Sequence, residues 1–290
     1  MPFSLFNTTR VQFFNLHTRR KSKIDTSNIK IGVFDSGVGG FTVVRELLSI
    51  LPEVPIVYFG DTARTPYGPK SPEILSQYAT QDAAFLIEKG ANIIVIACHS
   101  AASCATDKLR QHLDFPVFEV VTPSVQKACM LTRNGRVGII GTRATVSSNI
   151  YPRLIPEKKP GTLVFQQPCP LLVPLVEEGW LRARETKMIV RKYLRPLKDK
   201  QIDTLVLGCT HYPLLKDVIK QKAGKRIRIV DPSREVAQKV ASFLKKETNM
   251  APFKKGKALQ TNEFYLSDLT PHTEKIVGRF LGRSVELKKA

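Results

Sequence analysis

The sequence predicts an α/β protein with two similar doubly wound parallel-sheet lobes and an active site in the cleft between them. From Lys30 onward, short β-branched runs alternate with helical segments, which is typical of parallel sheets covered by helices. The alternation starts again near residue 122. Each half also contains a cysteine directly after such a run, Cys98 in NIIVIACHS and Cys209 in TLVLGCTH. Because open α/β sheets bind ligands at the carboxyl ends of their strands, both cysteines are expected at ligand-binding edges.

The first lobe is predicted to begin with a strand, a glycine-rich turn and a helix. Apolar runs of four to six residues between turn signals are typical of strands buried on both faces. The predicted elements are a strand at residues 31–34, a turn at 35–40, a helix at 42–51, a strand at 56–59, a proline-containing loop at 66–69, a helix at 72–89 and a strand that ends at Cys98.

The second lobe repeats this order after a linking or edge strand at residues 117–120. Its predicted elements are a helix at 123–131, a strand at 137–140, a helix at 147–154, a strand at 163–166, a helix at 185–197 and a strand at 204–207. We therefore predict a basic N-terminal extension at residues 1–30, one lobe from 31–121 plus 232–290, and a second lobe from 122–231.

Composition limits the class of protein. The chain has 290 residues, of which 42% are hydrophobic, and this length is sufficient for two domains with sizeable cores. Its apolar runs are far shorter than the roughly 20 residues that a membrane helix requires, so no membrane partner is expected. The cysteines are scattered and odd in number, which is not typical of a zinc site or a disulfide framework. They are Cys98, Cys104, Cys129, Cys169 and Cys209. We expect reduced thiols, no metal and a cytoplasmic location.

The chain is strongly basic, with 45 Lys and Arg against 25 Asp and Glu and a formal charge of +20. Such a charge attracts nucleic acid and other polyanions. The basic residues are nevertheless spread along the chain and form no groove-reading motif, so a nucleic-acid partner is disfavoured. A non-enzymatic protein that binds nucleic acid or another anionic partner stays an alternative. Residues 1–28 lack the apolar core of a secretory signal, whereas a transit peptide or a simple extension fits them.

The turn FDSGVGG at residues 34–40 follows the first strand. Its glycines permit close backbone approach, and its N–H groups could hold an anion at the helix N-terminus. It matches neither the dinucleotide-binding nor the phosphate-loop pattern. It could also be a turn in which Asp35 or Ser36 caps the helix. We favour a contact with a substrate carboxylate and a role for Asp35 in orienting a thiol.

Five motifs resemble those of glutamate racemases and occur in the same order. They are FDSGVGG (34–40), GDTARTPYG (60–68), ACHSAAS (97–103), CPLLVPLVEEG (169–179) and LGCTHYPLL (207–215). The resemblance covers roughly residues 31–231. It implies a cofactor-independent enzyme that interconverts L- and D-glutamate and supplies D-glutamate for peptidoglycan. Racemisation needs a base and an acid on opposite faces of Cα, and two cysteines meet that need.

The resemblance also implies a role for each matching residue. Cys98 and Cys209 are expected to be the acid and base, one in each direction, with Asp35 orienting Cys98 and with Glu177 and His211 serving Cys209. The implied substrate contacts are Asp35, Ser36, Tyr67, Gly68, His99, Ser100, Thr210 and His211. A cysteine ionises near pH 8.5 when unperturbed, and we expect a helix N-terminus or a nearby charge to lower its pKa.

Some of these residues also have simpler interpretations. Tyr67 and Gly68 could form only a proline-flanked turn, Glu177 could be a solvated helix charge, and His211 could cap a helix. Cys104, Cys129 and Cys169 are expected to be packing residues.

The pair His99-Ser100 departs from the family pattern, which normally has Asn-Thr after the first catalytic cysteine. A serine hydroxyl can replace that of threonine, but a histidine ring is larger than an amide and can be charged. Protonated, His99 would attract a substrate carboxylate and lower the pKa of Cys98. Neutral, it would reshape the pocket or point away. We expect activity to persist, with rate and substrate preference left open.

The motifs leave the exact substrate and the partners of the enzyme open. A racemase of aspartate or another acidic amino acid would use the same paired thiols. The resemblance makes a homodimer and regulation by a cell-wall precursor nucleotide candidates, and such regulation would act through the N-terminal extension.

Overall fold

The computed structural model describes residues 28–248 and 262–290 and contains two parallel β-sheets covered by helices. The strands are β1 (Ile31–Asp35), β2 (Ile56–Gly60), β3 (Ile93–Ile96), β4 (Val117–Glu119), β5 (Arg136–Gly141), β6 (Leu163–Pro168), β7 (Thr204–Gly208), β8 (Arg228–Val230), β9 (Glu263–Leu266) and β10 (Lys288–Lys289). The helices are α1 (Phe41–Ile50), α2 (Pro72–Glu88), α3 (His99–His112), α4 (Val121–Leu131), α5 (Arg143–Ser147), α6 (Ile150–Lys158), α7 (Leu172–Glu177), α8 (Arg184–Asp199), α9 (Lys216–Ala223), α10 (Pro232–Thr248) and α11 (Pro271–Leu281).

Both sheets are parallel throughout. The first has the order β10-β9-β2-β1-β3-β4, and the second has the order β6-β5-β7-β8. The central strands β1, β2, β3 and β7 are buried along their whole length, as their β-branched runs predict. The structure thus confirms the predicted α/β fold class.

Strand order places both cysteines at equivalent points. In the first sheet β1 lies between β2 and β3, so the chain reverses its winding direction between β1 and β3. In the second sheet β5 lies between β6 and β7 and produces the same reversal. Ligands of doubly wound sheets bind at such switch points, beyond the carboxyl ends of the strands. Cys98 follows β3 and Cys209 follows β7, so each cysteine lies at the switch point of its own sheet.

One predicted helix is wrong in its extent. The sequence predicts a single helix at residues 147–154, whereas the structure has α5 and α6. Asn149 between them has a φ of 52°, and this left-handed conformation ends one helix before the next begins. Thr142 caps α5, since its side chain accepts a hydrogen bond from the backbone N–H of Thr145.

After the second sheet the chain returns to the first. Helix α10 packs on α1 and α4, and β9 and β10 then extend the first sheet beyond β2. Helix α10 contacts elements of both predicted lobes, so its packing does not assign it to one of them. The lobe boundaries at residues 121–122 and 231–232 stay a prediction. The predicted extension at residues 1–30 lies almost entirely outside the described residues. In the described part of the chain, no helix is both long enough and apolar enough to cross a membrane.

Candidate active site

The carboxyl edges of the two sheets meet at the glycine-rich turn before α1. A Cβ atom on Gly39 would lie 2.3 Å from Thr210 Oγ1 and 2.6 Å from His211 Nδ1. Any larger residue would therefore push the turn away from the loop after β7. The glycine predicted for close approach thus lets backbone of one lobe contact the cysteine-bearing loop of the other.

Asp35 lies at the centre of this contact and is fully buried. Its Oδ2 accepts a hydrogen bond from the backbone N–H of Gly37 at 3.1 Å, and its Oδ1 accepts one from Thr210 Oγ1 at 3.2 Å. The N–H group of Gly37, one of the turn N–H groups considered above for binding an external anion, therefore donates to the protein's own Asp35. Burial raises the pKa of Asp35, and the nearby His211 opposes that rise only in part.

Cys98 is 6% exposed and stands at the N-terminus of α3. Burial raises the pKa of its thiol to about 12, and the charge of Asp35 contributes in the same direction. Hydrogen bonds from the Ala101 backbone and the Ser36 side chain oppose the shift without cancelling it. The expectation of a lowered pKa is therefore wrong for Cys98 in the substrate-free protein, because burial outweighs the helix N-terminus.

Cys209 has a different environment, although it is also 6% exposed. Its Sγ lies 3.8 Å from His211 Nδ1, and His211 Nε2 lies 2.9 Å from Glu177 Oε1. Burial lowers the pKa of His211, but hydrogen bonds to Cys209 and Glu177 outweigh burial and raise it to about 10. His211 is therefore an imidazolium at neutral pH and donates a charged hydrogen bond to the sulfur of Cys209.

The two thiols are close enough to interact electrostatically. The charge of Cys209 contributes to the raised pKa of Cys98, and His211 contributes to the pKa of Asp35 across the same interface. Each cysteine thus faces a site to which the other lobe also contributes.

Tyr67 and Gly68 lie at the edge of this interface. The Tyr67 side chain is 1% exposed, and its hydroxyl group contacts the carboxyl groups of Asp61 and Asp82. Gly68 contacts the second lobe, since its carbonyl oxygen accepts a hydrogen bond from the backbone N–H of Ala144 at 3.1 Å. The segment is therefore more than a proline-flanked turn, because it joins both lobes.

His99 and Ser100 begin α3 and are both 2% exposed. Ser100 Oγ lies 2.9 Å from Thr142 Oγ1 of the other lobe. Both ring nitrogens of His99 are buried without a hydrogen-bond partner among the described residues. Burial lowers the pKa of His99 to about 3, so the ring is neutral at physiological pH. The charged interpretation of His99 is thereby disfavoured.

Several supporting residues are not identified by the sequence pattern. Tyr58 Oη donates to the carbonyl oxygen of Gly37 at 2.6 Å, and Thr42 Oγ1 lies 3.1 Å from the carbonyl oxygen of Thr210. Arg279 donates to the carbonyl oxygen of Glu177 at 2.8 Å. Thr42 and Tyr58 lie just outside the motifs, whereas Arg279 lies 102 residues from Glu177 along the chain. The sequence does give a signal for Thr142, which contacts Ser100. The pair Gly141-Thr142 at the end of β5 resembles the pair Gly208-Cys209 at the end of β7.

The remaining cysteines include one close to the site. Cys169 is buried, its Sγ lies 3.4 Å from the carbonyl oxygen of Gln167, and Cys209 contributes to the raised pKa of its thiol. Within residues 28–248 and 262–290, no group of three or more His, Cys, Asp and Glu side chains is arranged to hold a metal ion.

Comparison with known proteins agrees with this geometry. A family model described as Asp/Glu/Hydantoin racemase matches residues 36–240. The glutamate racemase of Geobacter metallireducens is 42% identical over 252 residues, which is 87% of this chain and 92% of that protein.

Solved structures show the same similarity. A glutamate racemase from Francisella tularensis, crystallised with D-glutamate, superposes with a TM-score of 0.83 at 35% identity and covers 91% of this chain and 97% of its own. The Escherichia coli glutamate racemase, crystallised with L-glutamate and the activator UDP-MurNAc-Ala, has a TM-score of 0.72 at 28% identity, with 90% and 97% coverage. The chain therefore belongs to the Asp/Glu/Hydantoin racemase family and, within it, to the glutamate racemases.

Proposed function

We propose that this chain racemises glutamate with Cys98 and Cys209 as the two proton-transfer groups, one on each face of Cα. The observation that carries the proposal is the meeting of two buried thiols from two sheet edges, each with its own charged neighbour. A base and an acid on opposite faces are what inversion at a carbon acid requires. No organic cofactor is needed for this proton exchange, and the site residues supply the stabilising donors.

The two thiols differ in the charged groups beside them. Cys98 is a neutral thiol, because burial and Asp35 disfavour its anion. Cys209 instead contacts the His211 imidazolium, which Glu177 supports from the other side. Cys209 is therefore the base for one enantiomer and Cys98 is the acid. For the other enantiomer these roles are exchanged.

The proton balance closes over one turnover. The Cys209 thiolate takes the Cα proton and becomes a thiol, and the Cys98 thiol gives its proton to the opposite face and becomes a thiolate. Product thus leaves an enzyme with reversed protonation, which must be reset by proton exchange. Asp35 favours that reset because its charge destabilises the Cys98 thiolate.

The carbanion needs preorganised donors and the exclusion of water. The proposed substrate contacts that would supply these donors are Ser36, Tyr67-Gly68, His99-Ser100 and Thr210. Because both cysteines are 6% exposed, the lobes must separate for glutamate to enter and must close again before the reaction.

Location and regulation are further parts of the proposal. Two catalytic thiols function only when reduced, which fits a cytoplasmic enzyme, and its D-glutamate would serve peptidoglycan synthesis. The E. coli structure was obtained with the activator UDP-MurNAc-Ala. Regulation of this chain by such a nucleotide through residues 1–28 concerns a segment that lies outside the described residues except for Asn28. This regulation and a homodimer both stay predictions.

Replacement of either cysteine tests the two-base arrangement. Cys98→Ser and Cys209→Ser should each lower kcat/KM by about 10²–10⁴, the usual value of a lost acid–base group. The decrease must be equal in both directions, because the enantiomers have equal free energy in water. Exchange of Cα hydrogen for solvent deuterium should instead depend on which enantiomer is supplied. Cys129→Ser is the control and should retain full activity. Wild-type racemisation by either serine variant would contradict the mechanism.

Glu177→Gln tests the charged partner of Cys209. The substitution removes the carboxylate that helps to keep His211 protonated, so the pKa of His211 should decrease from about 10. We expect kcat to fall about tenfold, because the imidazolium supports the thiolate. An NMR titration of the His211 ring in the substrate-free enzyme measures the pKa. Glu178→Gln removes an adjacent exposed carboxylate and should change neither value. An unchanged His211 pKa in Glu177→Gln would overturn this assignment.

His99→Asn tests the departure from the family pattern. We expect the parent protein to racemise glutamate, and the variant to change kcat/KM by less than about tenfold, because a neutral His99 and an amide place no charge beside the substrate. Rates on L- and D-glutamate and on aspartate measure this effect. A large gain on glutamate in the variant would show instead that His99 suits the site to another amino acid.

A further inference from the structure

A buried polar cluster surrounds the hydroxyl group of Tyr67. Asp61 is 1% exposed and Asp82 is fully buried. The hydroxyl oxygen of Tyr67 lies 2.5 Å from Asp61 Oδ2 and 3.0 Å from Asp82 Oδ2. Arg64 contacts both carboxyl groups, with its Nε 2.6 Å from Asp61 Oδ2 and its Nη2 2.9 Å from Asp82 Oδ1. The cluster thus combines two buried carboxyl groups, one guanidinium and one phenol.

The number of protons in this cluster is fixed by its contacts. A tyrosine hydroxyl has one proton and can donate one hydrogen bond, whereas an ionised carboxylate can only accept. Tyr67 can therefore form hydrogen bonds with both aspartates only if one of them is protonated and donates. The charge count agrees, because Arg64 can neutralise one carboxylate and not two.

The contacts of the two carboxyl groups decide which one is protonated. Asp61 Oδ2 accepts from Arg64 Nε and contacts Tyr67, and its Oδ1 accepts from Ser267 Oγ at 3.1 Å. Asp61 thus has three side-chain hydrogen-bond partners. Asp82 has only Arg64 and Tyr67 as partners in the described residues, and burial raises its pKa well above the ordinary value. The nearby charges of Asp61 and Asp35 add to this rise.

We propose that Asp82 is a neutral carboxylic acid whose O–H, donated to Tyr67 Oη, positions the Tyr67-Gly68 segment for the carboxylate of the substrate. The hydroxyl of Tyr67 then donates to Asp61, so the three groups form one directed chain of hydrogen bonds. Asp82 is a positioning residue, since it acts through Tyr67. The proposal rests on the proposed function in its assignment of Tyr67-Gly68 to glutamate.

A neutral Asp82 has an electrostatic consequence for the site. Glutamate has two carboxylates and one ammonium, so it brings a net negative charge into a closed interface that already contains Asp35. An ionised Asp82 would add a further negative charge next to Tyr67 in a region of low dielectric, where like charges repel strongly. Protonation of Asp82 removes that repulsion and keeps the hydrogen bond to Tyr67.

Two substitutions at Asp82 distinguish the effect of its hydrogen-bond donor from the effect of its side-chain size. Asp82→Asn keeps the shape, the neutral charge and a donor to Tyr67, so KM for glutamate should stay within about threefold of the parent value. Asp82→Leu removes the donor, so KM should increase about tenfold, the effect of one lost buried hydrogen bond, with a smaller change in kcat. Asp61→Asn should raise KM as well, because the amide replaces one of the two acceptor oxygens that Arg64, Tyr67 and Ser267 contact.

Infrared spectroscopy reports the proton directly. The parent protein at neutral pH should show the C=O stretching band of a protonated carboxyl group, and this band should be lost in Asp82→Asn. Glu73→Gln, which replaces an exposed carboxylate on the same helix, is the control and should leave the band, KM and kcat unchanged. Circular dichroism checks that each variant folds.

Two results would overturn the proposal: a protonated-carboxyl band that persists in Asp82→Asn, or a KM in that variant as high as in Asp82→Leu. If Asp82→Leu does not fold, the band and the KM of Asp82→Asn still decide. Failure of the parent protein to racemise glutamate would refute the proposed function instead, and the infrared band would still decide whether Asp82 is protonated.

Discussion

The site depends on the close approach of two sheet edges, which is possible only because Gly39 has no side chain. Thr210 and His211 occupy the space that a Cβ atom would need. The hydrogen bond from Thr210 to Asp35 then crosses the interface and joins the loop of the second cysteine to the partner of the first. Without this approach each thiol would lie alone at the edge of its own sheet. With it, two switch points form a single site.

The same interface makes the two thiols unequal. Cys98 is buried beside a carboxylate and keeps its proton, whereas Cys209 is buried beside an imidazolium that Glu177 supports. The Cys209 half is also held from the end of the chain, since Arg279 donates a hydrogen bond to the carbonyl oxygen of Glu177. Two thiols with unlike charged neighbours suit the proposed reaction, which needs one base and one acid at its start. In the proposed mechanism, exchange of these roles lets the same two residues serve both enantiomers.

The sequence predicts the parts of this arrangement that depend on local pattern. Buried β-branched runs end at Cys98 and Cys209, and strand ends are where α/β proteins place ligands, so the fold class and the two thiols follow from short segments. Asn149 shows the limit of local pattern, because apolar spacing does not indicate a left-handed residue that divides a helix. The lowered pKa predicted for Cys98 is also wrong, because the extent of burial depends on residues from both lobes. The contacts among Asp61, Arg64 and Asp82 likewise depend on the packing of α2 against the loop after β2.

A crystal structure of the protein with bound D-glutamate tests the two-base mechanism most directly. We predict that the sulfur atoms of Cys98 and Cys209 lie on opposite faces of Cα, each at about 3–3.5 Å, the separation of groups poised to react. We also predict that Thr210 still contacts Asp35 in that complex. A structure with both sulfur atoms on one face, or with one of them outside the glutamate pocket, would contradict the mechanism.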